Sequence, residues 1–125
     1  ASAEQRQNLQ DPAPKITEAA ALKENPDPLC KETMRIFVKA YGAEAGNLAL
    51  DILPFGGLYI AGGITLQILE LIRRNNFMEA FIDKGRMEPL LKKIPVHVVK
   101  NKKIGVEGAA VYASRCQEDV VGRIQ

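Results

Sequence analysis

The adjacent glycines Gly62 and Gly63 are the residues whose type and position could do chemistry, namely close contact with a nucleotide. They end the apolar run Leu58-Tyr59-Ile60-Ala61, and Ile64-Thr65 opens an amphipathic helical pattern directly after them. A buried strand that delivers its backbone into a glycine pair leaves no Cβ to block a ligand. The free N–H groups of a helix start then favour anions. Strand-to-helix turns also need glycine for tight geometry in many folds, so the local pattern by itself is met more simply by a structural turn.

The remaining reactive side chains do not assemble into a site. His97 stands in the apolar run Val96-His97-Val98-Val99 with no carboxylate or cysteine at ligand spacing, which marks a packed or edge residue. Asp83-Lys84-Gly85-Arg86 reads as a solvated helix end and turn, with its cations near the helix's negative pole. Glu70, Glu79 and Glu88 fall on separate elements and form no spaced carboxylate pair. Cys30 lies in a first helical turn, where a thiolate is somewhat favoured, but no histidine is near it in sequence. None of these residues is assigned a catalytic role.

The elements that must position the glycine pair follow from periodicity and punctuation. Residues 1–14 are polar, carry Asp11-Pro12 and Pro14, and read as an extended lead-in segment. Thr17 is placed to cap a short helix running to Leu22 or Lys23, which Asn25-Pro26-Asp27-Pro28 then breaks. Asp27-Pro28 is a strong helix start, with a carboxylate at the cap and proline where its missing N–H costs nothing. The helix that follows should reach about Leu53, with an apolar stripe at Leu29, Thr33, Ile36, Phe37, Ala40, Tyr41, Leu48 and Ile52. Gly42 and Gly46 thin one side of it. Close packing against a neighbouring element is the better account than room for a ligand, since interior glycine lowers helix stability and needs a steric reason.

Pro54 stops that helix, and a strand over Leu58–Ala61 follows, apolar enough to be buried on both faces. Helical patterns then cover Thr65 to Arg74, Phe77 to Lys84 with Gly85 closing it, and Met87 to Lys93. A second strand is expected over Val96–Val99 and a last helix over about Val106 to Gln117. This order is an α/β pattern, helix-rich, with about two parallel strands and crossover helices. Two strands are too few for an independent sheet covered on both faces.

Composition excludes several classes. The chain has 125 residues and a net charge of +2, so it is one domain or a piece of one, with cations scattered among acids. The densest basic cluster, Lys100-Asn101-Lys102-Lys103, has no interleaved aromatics and reads as a solvated turn, so nucleic-acid binding is not indicated. No apolar run approaches a membrane span, and no signal-peptide layout opens the chain. Cys30 and Cys116 lie far apart without CxxC spacing and read as free thiols, which points to the cytoplasm.

Several runs together resemble the C-terminal part of bacterial-type glucokinase. These are Ala45-Gly46-Asn47-Leu48-Ala49-Leu50, Pro54-Phe55-Gly56-Gly57-Leu58-Tyr59-Ile60-Ala61-Gly62-Gly63-Ile64, and Phe77-Met78-Glu79-Ala80-Phe81-Ile82-Asp83-Lys84-Gly85-Arg86-Met87. Ile94-Pro95-Val96-His97-Val98-Val99 and Gly105-Val106-Glu107-Gly108-Ala109-Ala110-Val111-Tyr112-Ala113 continue the likeness. It runs in order from about Ile16 to Ala113 and covers well under half of a typical family member.

The resemblance implies part of a ribonuclease-H-like lobe of the hexokinase and actin-like ATPase superfamily, occupying residues 15–125. The intact parent would transfer the γ-phosphoryl group of ATP, with Mg²⁺, to the 6-hydroxyl of glucose. Gly62 and Gly63 would take the family's adenosine-motif role, with Ile64 and Thr65 at the helix start beside the same pocket. Glu107, where the family usually has an apolar residue, and Ala43-Glu44-Ala45, near a place of small residues, leave the subfamily open. The family's Asp-x-Gly-Gly-Thr-type phosphate loop, its Asn-Asp pair with the catalytic base, and its Glu-Gly-Gly-His sugar motif do not occur in this sequence. The chain alone is therefore expected to be inactive, and to self-associate or be marginally stable. A kinase for another hexose, or a non-catalytic nucleotide-binding or assembly module, stays open as an alternative. The spacing G-x-G-x-x-G of a dinucleotide-binding dehydrogenase is missing.

Overall fold

A computed structural model describes residues 12–22 and 24–124. In chain order the elements are α1 (Ala13–Ala21), α2 (Pro28–Ile52), β1 (Leu58–Ile60), α3 (Gly63–Gln67), α4 (Leu69–Arg74) and α5 (Phe77–Ile82). A single 3-10 turn (Gly85–Met87), α6 (Glu88–Leu91), β2 (Val96–Val98) and α7 (Ile104–Ile124) complete them. β1 and β2 pair in parallel, with Leu58 opposite Val96, Tyr59 opposite His97 and Ile60 opposite Val98. The helix-rich α/β arrangement with two parallel strands is thus the one the sequence pattern calls for. Among the described residues, no helix is long and apolar enough to cross a membrane.

The α2 helix starts as its sequence dictates. The Asp27 side chain accepts a hydrogen bond from the Cys30 backbone N–H at 2.8 Å, and Pro28 occupies the first turn. That bond holds the Asp27 carboxyl below the ordinary carboxylate range. The same turn acts oppositely on Cys30. Partial burial, and then the neighbouring Asp27, push its thiol up, so the helix start does not favour a thiolate there. Cys30 and Cys116 are both free.

The buried face of α2 is not the stripe expected from periodicity. Met34, Val38, Gly42, Gly46 and Ala49 are the buried positions, whereas Leu29, Ile36, Phe37, Leu48 and Ile52 are exposed. The glycines select the face. A Cβ on Gly42 would collide with the carbonyl of Phe77, and one on Gly46 with the carbonyl of Phe81, so α2 and α5 touch backbone to backbone. Phe81, Leu91, Ile68 and Val38 are fully buried around this contact. Two apolar stripes compete on α2, and only the glycine-bearing one lets a neighbouring helix approach this closely.

Other boundaries move for identifiable reasons. Residues 1–11 of the expected lead-in segment lie outside the described residues, but Ala13 and Pro14 are already helical. Proline is tolerated in a first turn, so Thr17 falls inside α1 and donates its hydroxyl proton to the Ala13 carbonyl at 3.0 Å rather than capping. The stretch expected as one helix over Thr65–Arg74 begins at Gly63 and divides into α3 and α4 at Ile68, whose φ of −101° and ψ of 11° leave the helical region. α5 ends at Ile82, before the expected Lys84, and Gly85 with φ of 56° opens the 3-10 turn instead of closing α5. The helix expected over Met87–Lys93 is confined to α6. α7 begins earlier than Val106 because Asn101 braces its start, accepting from Lys103 N–H at 2.9 Å and donating to Glu107 at 2.6 Å.

The strands are covered on one face rather than two. Ile60 is buried in the core, but Tyr59 is 65% exposed, and its ring stacks on His97 with centroids 5.0 Å apart. His97 is therefore an exposed partner of Tyr59, in keeping with its reading as an edge residue. Residues 104–117 of α7 are likewise exposed throughout.

Candidate functional site

The chain leaves β1 at Ile60 and reaches α3 through Ala61 and Gly62, all at the carboxyl end of a parallel strand. Ligands of open α/β sheets bind beyond that end. Gly62 has φ of 125° and ψ of 162°, a conformation that disfavours any L side chain, and it stands directly before the first helical residue. Among the described residues, nothing lies within 4 Å of a Cβ built on Gly62 or on Gly63. No side chain caps the first turn of α3.

The four residues singled out from sequence separate into two environments. Gly62, Gly63 and Ile64 are exposed, Ile64 at 63% despite its apolar side chain. Thr65 is 1% exposed, and its hydroxyl shares a hydrogen bond with the Tyr41 hydroxyl at 3.0 Å. It faces the core, so it can hold the turn but not touch a ligand with its hydroxyl.

A cleft of about 320 Å³ begins at Ile64 and runs between α1 and α2. Its walls include Ile16 and Thr17 from α1, Met34 and Phe37 from α2, and Gln67 at the end of α3. A cleft of this size with mostly apolar walls and a few polar groups suits a flat organic ring. The hydroxyl of Thr17 donates to Ala13 and that of Thr33, also on the wall, donates to the Leu29 carbonyl at 2.8 Å. With their protons committed, both hydroxyls retain acceptor capacity.

Sequence reasoning missed these wall residues. Periodicity puts Phe37 in the core stripe of α2, Thr17 reads as a helix cap, and Ile16 and Met34 carry no motif of their own. The signal that could have found them is geometric, since it depends on α1 lying across α2. Among the described residues, no group of three or more His, Cys, Asp or Glu side chains could hold a metal ion.

The family model described as Glucokinase matches residues 1–116. The chain belongs to the glucokinase family. It is 50% identical over 111 residues to the glucokinase of Trichormus variabilis, covering 89% of this chain and 32% of that protein. Against the glucokinase of Synechocystis it is 51% identical over 105 residues, covering 84% of this chain and 29% of that one. The fold is similar to the crystal structure of a glucokinase from an Antarctic psychrotroph, with a TM-score of 0.70 and 32% identity, over 82% of this chain and 31% of that one. The chain thus spans about a third of the length of the curated relatives it matches, and corresponds to a C-terminal portion of glucokinase.

Proposed function

We propose that this chain supplies the adenosine side of the ATP site in a glucokinase whose intact form transfers the γ-phosphoryl group of ATP to the 6-hydroxyl of glucose. The carrying observation is the unobstructed Gly62–Gly63 turn at the carboxyl end of β1, opening beside the apolar cleft that starts at Ile64. In this reading the ribose approaches the glycine backbone and the base enters between Phe37, Met34 and Ile64. The acceptor capacity of Thr17 and Thr33 suits an exocyclic amino group. Mg²⁺ would arrive on the ATP phosphates, which supply most of its ligands together with water. The chain is a portion of one ribonuclease-H-like lobe, works in the cytoplasm, and has no catalytic base of its own.

The experiment is a pair of substitutions in a full-length glucokinase carrying this segment. Gly62→Val is the obvious choice, but φ of 125° strains any side chain there, so folding confounds it. Gly63 has no such strain and no neighbour within 4 Å, so Gly63→Val should fold normally. It is expected to raise KM for ATP at least tenfold and leave KM for glucose unchanged, since about 1.4 kcal/mol of lost contact suffices. Equal effects on both substrates, or none, would leave only a structural turn.

Two further expectations accompany the proposal. The chain alone should show no glucose phosphorylation with ATP and Mg²⁺ above background, because positioning of both phosphates and sugar is required. It should also self-associate. Among the described residues the two-stranded sheet has open edges, and α7 exposes Val106 at 75% and Tyr112 at 72%, surfaces that seek partners. Sedimentation that shows one monomeric species at every concentration, with cooperative melting, would overturn this.

A further inference from the structure

We propose that Tyr41 is a positioning residue of the nucleotide site, holding the two sides of the cleft at a fixed distance. The inference rests on the adenosine-site reading above. Thr65 is the one buried polar side chain among the described residues. A buried hydroxyl without a partner is costly, so its position is set by whatever pairs with it. That partner is Tyr41, 3.0 Å away on α2 and 24 residues earlier in the chain. A valine at position 65 would fill the same volume with no such demand. The hydroxyl adds direction, which apolar packing lacks.

Tyr41 is itself held from two sides. Its ring meets Phe77 of α5 edge-on, with centroids 5.8 Å apart, and lies 6.0 Å from the Phe37 ring at 39°. Phe77 cannot shift easily, because its backbone carbonyl abuts Gly42, the residue next to Tyr41. One side chain therefore joins three elements. Through its hydroxyl it fixes Thr65, two residues after Gly63, and through its ring it supports Phe37, which forms the opposite wall of the cleft. Losing the hydroxyl would let the α3 start move relative to α2 while the aromatic packing stays.

The test uses a full-length glucokinase carrying this segment. Tyr41→Phe keeps the ring and removes the hydroxyl. It should raise KM for ATP and the calorimetric dissociation constant of ADP by about three- to tenfold, leaving kcat and KM for glucose unchanged. Thr65→Val should reproduce that rise, Thr65→Ser should not, and the double variant Tyr41→Phe/Thr65→Val should be no worse than either single one. If Tyr41→Phe fails to fold, the contrast between Thr65→Val and Thr65→Ser decides alone. Unchanged ADP affinity in Tyr41→Phe and Thr65→Val, or an equal change in KM for glucose, overturns the positioning role. Gly63→Val separates the two ideas. If it weakens ATP while Tyr41→Phe is silent, only the positioning role falls. If Gly63→Val is silent too, the adenosine-site reading falls with it.

Discussion

Two pairs of glycines in this chain have opposite surroundings. Gly42 and Gly46, one helical turn apart on α2, press against the backbone of α5, and a methyl group at either would strike a carbonyl oxygen. Gly62 and Gly63, adjacent at the end of β1, face nothing within 4 Å among the described residues. In the first pair the missing side chain is replaced by another part of the fold. In the second it is replaced by nothing among the described residues. Glycine that the fold fills is a packing device, and the open pair beside the cleft is, in the function proposed above, where the nucleotide approaches.

The comparison breaks most easily at its packed end. Gly46→Ala should destabilise the chain by about 2–3 kcal/mol in urea unfolding, although alanine is the better helix former by about 1 kcal/mol. A neutral or stabilising result would show that α2 and α5 do not touch backbone to backbone. At the open end the cost is one of conformation. Gly62→Ala should lose about 1–2 kcal/mol, because its φ of 125° is strained for an L residue even with space around it. Equal losses for Gly62→Ala and Gly63→Ala would remove that distinction. Gly63→Ala should alter stability by less than about 0.5 kcal/mol, which makes it the probe of ligand contact.

A pH-dependent effect sharpens the origin of the packed helix. Asp27 has a carboxyl held below its ordinary value by the Cys30 N–H, so its folded form binds a proton less readily than the unfolded chain. Its contribution is present above the unfolded carboxylate range and is lost as pH falls through the lowered folded value. Asp27→Ala should therefore lower the melting temperature at neutral pH, and the gap to the parent chain should close in acid. A gap independent of pH would deny the cap its charge-assisted character.

Much of this architecture was legible in the sequence because its causes are local. Asp27-Pro28 starts α2, Pro54 follows its end, and the apolar runs before Gly62 and after Pro95 are strands, since caps, prolines and short apolar runs act within a few residues. The family was legible as well, through several motifs in fixed order. Of the candidate site, only the course of the backbone was legible. Gly62, Gly63 and Ile64 lie where the strand-to-helix pattern puts them, whereas Thr65 turned inward and the wall residues Phe37, Met34 and Ile16 gave no sign.

What the sequence by itself determined, then, is the order of elements, the capped start of the long helix and the glycine turn at the end of β1. Tertiary structure alone decided which of two apolar stripes on α2 is buried, that Tyr41 would reach Thr65 across 24 positions, and that α1 would close a cleft over Ile64. The physical reason is range. Capping and turn geometry are settled among neighbours in the chain. A buried face is settled by which surface another helix can approach most closely, and here two glycines on α2 admit α5 where larger side chains would hold it off.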